Sequence, residues 1–233
     1  YNPDQKYLSD TWEYNPETNS WRQMDDFKGG ARYYALGFGI DNYGYVGTGY
    51  NDNYLKDFYR FDPTAAAGSQ WTIVNGFGGQ KRQGGTAFVI DGKAYVCGGQ
   101  NNNSDVSDFW CFDPSAATPW TQLRDIANTS DDDYDDDYTS IVRSYGVSFV
   151  IDGKAYLTLG STAGGSYYSN YWIYDPATDL WEGDDLTAFE GSTRIHAVCF
   201  STGTRGIVAT GGSGSSSYFD DTWELKPYEY EEE

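Results

Sequence analysis

One histidine and one methionine occur in 233 residues, and cysteine only three times. A Ser-His-Asp triad would have to use His196, and no GxSxG elbow accompanies it. Cysteine and histidine never cluster at zinc-ligand spacing. Three cysteines are too few for a disulfide framework, although Cys97 and Cys111 could face one another across a hairpin; buried free thiols in strands are the plainer expectation. Basic residues are scarce as well, 15 against 35 acidic, for a net charge of −20. That field repels phosphate, which argues against nucleic acid and anionic membrane surfaces as partners. No run approaches the roughly 20 apolar residues of a membrane-spanning helix. No signal peptide is visible, but a chain beginning at Tyr1 says little about targeting.

Aromatics and glycine are abundant: 22 Tyr, 8 Trp, 12 Phe and 28 Gly. Aromatics suit a pleated surface and glycine suits tight bends, so strands are expected over helices. The octapeptide FVIDGKAY stands at 88–95 and again at 149–156. Asp-Gly at its centre is the signature of a two-residue hairpin.

The duplication belongs to a longer period. Asp10-Thr11-Trp12, Asp57-Phe58-Tyr59, Asp108-Phe109-Trp110, Asn170-Tyr171-Trp172 and Asp221-Thr222-Trp223 repeat one pattern, with third members 47, 51, 62 and 51 residues apart. Each copy continues through Tyr14, Phe61, Phe112, Tyr174 or Leu225 to a proline two residues on. A second tryptophan follows in four copies: Trp21, Trp71, Trp120 and Trp181. Upstream, Arg32, Arg82, Arg143 and Arg194 each precede a phenylalanine by six residues, and a glycine-terminated apolar run comes next. A period of about 50 residues points to a solenoid or a propeller.

The order Arg, apolar strand, Gly-Gly, Asp-x-Trp, Tyr-Asp-Pro, Trp resembles the kelch motif, over nearly the whole chain. The glycine pair departs from it at Gly47-Thr48-Gly49 and Leu159-Gly160. The resemblance implies an all-β, kelch-type β-propeller of four-stranded antiparallel blades. About five units are expected, at 1–31, 32–81, 82–142, 143–193 and 194–233, the first and last incomplete. Kelch rings usually hold more blades, so a fragment of a larger propeller is expected. Low cysteine, high Tyr and Asn, and few lysines resemble the bacterial cell-envelope members, which implies an extracytoplasmic location.

Strand direction then assigns the loops. With strands a (after Arg), b (ending in Gly), c (Asp-x-Trp) and d (second Trp) alternating in direction, the b–c and d–a connections share one face. The b–c loops are long, dissimilar and rich in Asn, Ser, Gly and Tyr, a vocabulary suited to recognition. Expected ligand contacts on that face are Tyr54, Asn102, Tyr167 and Tyr168. Strand a lines the channel of a propeller, which places Arg32, Arg82, Arg143 and Arg194 around its mouth, with Tyr34, Tyr145 and His196 beside them. An arginine repeated in every unit is expected first as framework, hydrogen-bonding loop carbonyls of the neighbouring blade, and second as an anion or sugar-acid site. A non-catalytic module binding a protein or a glycan, and acting as a monomer without a cofactor, is the leading expectation. The alternative is a sugar mutarotase or epimerase, similar to bacterial kelch enzymes acting on sialic acids, with Glu190, Arg194 and His196 around an anionic sugar. Copper oxidases with a kelch propeller need two histidines, which this chain lacks.

The long spacing comes from an insertion at 128–140, NTSDDDYDDDYTS. Six aspartates in seven positions repel one another, so a protruding, mobile loop is expected. Asp131, Asp133 and Asp135 have alternate spacing suited to calcium, yet Asp136 and Val142 replace the glycine and glutamate of an EF-hand loop. The terminal EYEEE at 229–233 reads as a tail.

Overall fold

The computed structural model describes residues 7–183 and 187–227; the tail lies outside them. A hairpin opens the chain, β1 (Trp12–Asn15) with β2 (Ser20–Gln23). Four antiparallel sheets follow. The first comprises β3 (Leu36–Ile40), β4 (Tyr43–Gly47), β5 (Phe58–Phe61) and β6 (Trp71–Val74). In the second, β7 (Thr86–Ile90) and β8 (Lys93–Cys97) lead through a small hairpin, β9 (Gln100–Asn101) and β10 (Ser104–Asp105), to β11 (Trp110–Phe112) and β12 (Trp120–Gln122). The third is β13 (Val147–Ile151), β14 (Lys154–Thr158), β15 (Trp172–Asp175) and β16 (Leu180–Glu182). The fourth has three strands, β17 (Val198–Ser201), β18 (Gly206–Ala209) and β21 (Thr222–Leu225), with a small hairpin, β19 (Gly212–Ser213) and β20 (Ser217–Tyr218), between the last two. Neighbouring strands are joined in a–b–c–d order, as the hairpin reading requires. Asp91-Gly92 and Asp152-Gly153 take left-handed conformations at the repeated turn, with φ from 48° to 76°.

The core lies between sheets rather than within one. Phe88 of β7 packs against Tyr174 and Trp181 of the next sheet, at ring separations of 5.9 and 6.2 Å. Phe38 meets Phe112 in the same way at 6.0 Å. Val147, Phe149 and Tyr156 face Val208 and Trp223 across the third junction. Each such side chain contributes about 1.5–3 kcal/mol by leaving water. The faces at the two ends of the stack carry the same residue types uncovered: Trp21 is 66% exposed, and Val198 and Phe200 are each 57% exposed.

Two glycine positions explain how the repeat tolerates variation. The first member of each pair, Thr48, Gly98, Leu159 or Thr210, has φ near 60°; three of the four carry a side chain, whereas at Gly98 a Cβ would lie 2.4 Å from the Arg143 carbonyl oxygen. The second, Gly49, Gly99, Gly160 or Gly211, has φ of 86–93°. A Cβ there would lie 2.6–2.9 Å from the carbonyl oxygen of Tyr33, Gln83, Ser144 or Ile195. The second position therefore demands glycine in every unit, and the first only at Gly98.

The acidic insertion corrects the expectation of a segment that does not pack. Asp131, Asp132, Asp133, Asp136 and Asp137 do face solvent, but Asp135 is buried. Its carboxylate accepts bonds from the Thr129 and Ser130 amides, at 2.9 and 3.0 Å, and from the Ser130 hydroxyl. Burial raises the carboxyl pKa, but these donors outweigh it and hold the group below its ordinary value. Tyr138 is buried too and accepts a bond from the Trp181 amide at 2.7 Å, while Arg124 lies over the Tyr134 ring. Counting charges missed the two tyrosines spaced four apart, which anchor the segment to the second inter-sheet core.

Cys97 pairs with Thr86 and Cys111 with Tyr95, so the two do not oppose one another, and both are free thiols. Burial pushes the Cys97 thiol up to about 12, which leaves it inert as a nucleophile.

Candidate functional site

The four repeated arginines point inward, not into the mouth. Relative exposures are 7% for Arg32, 0% for Arg82, 1% for Arg143 and 0% for Arg194. Each Nε donates to the carbonyl two residues upstream: Gly30, Gln80, Ile141 or Ser192. Each Nη1 reaches the carbonyl sixteen residues downstream: Thr48, Gly98, Leu159 or Thr210. Asp57, Asp108 and Asp221 complete three of the sets with a carboxylate. The guanidinium fork thereby ties the d–a loop, the end of strand b and the start of strand c into one joint. The framework expectation holds, with the Nη1 carbonyls in the arginine's own unit rather than the neighbouring blade, and that of an arginine-rimmed channel open to a ligand is corrected. The informative signal was in the sequence, because an acidic residue opens the Asp-x-Trp pattern wherever the arginine has a carboxylate partner.

The fourth unit is the exception. Asn170 stands where the others have aspartate, and Arg143 bonds its side-chain oxygen at 3.0 Å. Burial without a carboxylate lowers this guanidinium to about 10, and the Tyr168 ring lies 4.7 Å from its central carbon. Tyr168 is therefore committed in part to covering Arg143.

What stands at the mouth is aromatic. Tyr34, Gly84, Tyr145 and His196 each follow an arginine by two residues, and all four have φ between 53° and 63°. Tyr34 stacks on His196 at 4.9 Å with 6° between planes, Tyr145 meets Tyr34 at 4.9 Å, and Tyr145 meets His196 at 4.5 Å. Gly84 makes room for this, since a Cβ there would lie 2.3 Å from the Tyr145 ring. The backbone conformation of the three non-glycine residues is sparsely populated and is held by the surrounding joints. Tyr145 accepts bonds from the side-chain amides of Gln83 and Gln100, at 2.8 and 2.7 Å. Burial pushes its phenol up to about 12.

From the mouth the rings continue outward over the first sheet. Tyr33 meets Tyr34 at 4.6 Å, Tyr50 meets Tyr33 at 5.6 Å, and Tyr54 meets Tyr50 at 5.0 Å. Tyr7 stacks on Tyr33 at 5.4 Å and donates its hydroxyl proton to Asp52. Sequence spacing identified Tyr34, Tyr145, His196 and Tyr54. It missed Tyr7, Tyr33 and Tyr50, which come from an end segment, a d–a loop and a b–c loop.

The other expected site residues are dispersed. Asn102 is exposed at the tip of the β9–β10 turn, and Tyr167 accepts a bond from the Gly214 amide at 2.9 Å. Glu190 is exposed and adds to the burial that pushes Tyr171 up to about 12. Arg194 is engaged by Asp221, and His196 by Tyr34 and Tyr145. These three thus have different partners and form no acid–guanidinium pair. The inward turn of Asp135 also breaks up the calcium set with Asp131 and Asp133. Among the described residues no three of His, Cys, Asp or Glu are grouped to hold a metal ion.

His196 gives a direct probe of the mouth. The Tyr34 and Tyr145 rings cover part of the imidazole, and this partial desolvation lowers its pKa, so the neutral form is favoured in the folded chain. A folded pKa below the unfolded value contributes stability above about pH 6.5 that is lost as pH falls through the folded pKa. The ring-proton resonances of this single histidine should titrate below pH 6.5; a midpoint at or above that value would contradict the packed arrangement.

Successive antiparallel sheets, three of four strands and one of three, packed face to face with strand a innermost, define a β-propeller. Comparison with known proteins makes the class more specific. The family model described as Kelch motif matches residues 81–123. Kelch-like protein 15 of Danio rerio is 25% identical over 181 residues, covering 74% of this chain and 29% of its own. The chain therefore spans less than a third of that relative's length. A solved structure titled "Structure of YjhT" superposes with a TM-score of 0.74 over 92% of this chain and 72% of its own, at 14% identity. The chain is a β-propeller whose residues 81–123 match the Kelch motif and which is similar to kelch-like proteins.

Proposed function

We propose that this propeller is a non-catalytic recognition module that binds a protein or a glycan on the face carrying the b–c and d–a connections. The observation that carries this reading is the aromatic cluster at the channel mouth, Tyr34, Tyr145 and His196, with dissimilar Asn-, Ser- and Tyr-rich loops around it. Both sets of connections meet on this face, because Tyr33, Gln83, Ser144 and Ile195 bridge to Tyr50, Gln100, Ser161 and Gly212. Rigid aromatic area at the centre with adaptable polar groups at the rim suits binding at low entropic cost. The mutarotase or epimerase reading needs a guanidinium free for an anionic sugar, and the inward arginines favour recognition over it.

Screening a glycan array and a displayed-peptide library with the chain and with a Tyr34→Ala/His196→Ala variant tests the reading. Specific binders that the variant loses, with its circular dichroism preserved, are the expected result. Binders that ignore both substitutions would place recognition elsewhere.

A further inference from the structure

We infer that the aromatic strip running from Tyr145 and His196 through Tyr34, Tyr33 and Tyr50 to Tyr54 takes an uncharged oligosaccharide, an inference that rests on the recognition reading above. Length is the first argument. Four successive ring-to-ring steps of 4.6–5.6 Å lead from Tyr145 to Tyr54, a run longer than one sugar ring can cover. Tyr34 is 43% exposed and His196 is exposed, so the inner end of the run is open to solvent.

Surface chemistry is the second. A pyranose carries C–H bonds on one face and hydroxyls around its edge. Its C–H face meets the negative face of an aromatic ring, and its hydroxyls exchange bonds with phenols and amides. The strip supplies the rings. Gln100 beside Tyr145, and Asn51 and Asn53 between Tyr50 and Tyr54, supply amide groups, while Gln83 is buried behind the Tyr145 hydroxyl.

Charge is the third. The four arginines nearest the mouth are sealed beneath it. Among the described residues no Lys or Arg stacks on Tyr34, Tyr50, Tyr54, Tyr145 or His196. Asp52 stands beside the strip on the Tyr7 hydroxyl, and the whole chain carries −20. An acidic sugar would meet repulsion from Asp52 and from the net charge, and a neutral sugar would not.

The test is calorimetry and saturation-transfer NMR on the full chain with cellotetraose, chitotetraose, maltotetraose, mannotetraose and lactose, and with 3′-sialyllactose as the acidic match to lactose. At least one neutral sugar should bind, and Tyr34→Ala and Tyr54→Ala should each weaken it roughly tenfold. Sialyllactose should bind more weakly than lactose or not at all. Failure of every neutral sugar, or preference for the sialylated one, overturns the inference. A displayed peptide released by Tyr34→Ala while no sugar binds also overturns it, yet leaves the recognition reading standing. Binders of either kind that ignore Tyr34 overturn both.

Discussion

Gly160→Ala should destabilise the chain by about 3–5 kcal/mol, whereas Gly153→Ala should cost only about 1–2 kcal/mol. The pair separates two effects that usually come together. Both glycines have left-handed φ, 86° and 76°, so alanine pays the same conformational penalty at each. At Gly153 nothing lies within 4 Å of the added Cβ. At Gly160 the Cβ meets the Ser144 carbonyl oxygen at 2.6 Å and the backbone of Gly146 at 2.8 Å. Those are backbone atoms of a bridged pair, Ser144 with Ser161, and cannot move aside as a side chain would. Urea unfolding followed by tryptophan fluorescence measures both. Equal losses would show that the close approach of loop and strand is not what requires glycine.

Asp108→Ala should cost about 3–5 kcal/mol, because it strands the fully buried Arg82 guanidinium without a counter-charge. Asp108 also accepts a bond from the Gln80 amide at 2.7 Å, and that donor would be orphaned. Asp108→Asn should cost much less, about 1–2 kcal/mol, since it keeps an acceptor for one donor. The fourth unit is a native instance of that exchange, with Asn170 serving Arg143. If the two substitutions are equally damaging in a urea titration, the carboxylate's charge decides; if both are mild, the arginine joint is not the frame described here. A pH dependence accompanies this joint in the last unit. A bond from Arg194, then one from Trp223, depress Asp221 to about 2. Its contribution is full above the unfolded value near 4 and is lost as pH falls through about 2.

Much of the fold was legible in order and spacing. Asp-Gly turns, glycine-ended apolar runs and alternating aromatics specify hairpins through local backbone preference, and repetition of the unit specifies a stack of them. The shared face of the b–c and d–a loops followed from strand direction alone. The direction of a long side chain did not follow. An arginine six residues before a strand phenylalanine can point to a channel or back into its own loop, and only the carbonyls gathered around it decide. The Asp135 carboxylate was illegible for the same reason: among six aspartates, the one turned inward is selected by amides that the fold brings to it.

By itself the amino-acid sequence determined the secondary structure, its antiparallel order, the period of the repeat and the side on which variable loops emerge. These depend on neighbours within one unit, where turn chemistry and alternation act over a few residues. The repeat also placed Tyr34, Tyr145 and His196 at the channel mouth, but the tertiary structure alone decided that these rings stack on one another and which carbonyls and carboxylates hold each arginine. Tyr34, Tyr145 and His196 lie far apart in the chain and meet only where three sheets converge, so no local rule couples them.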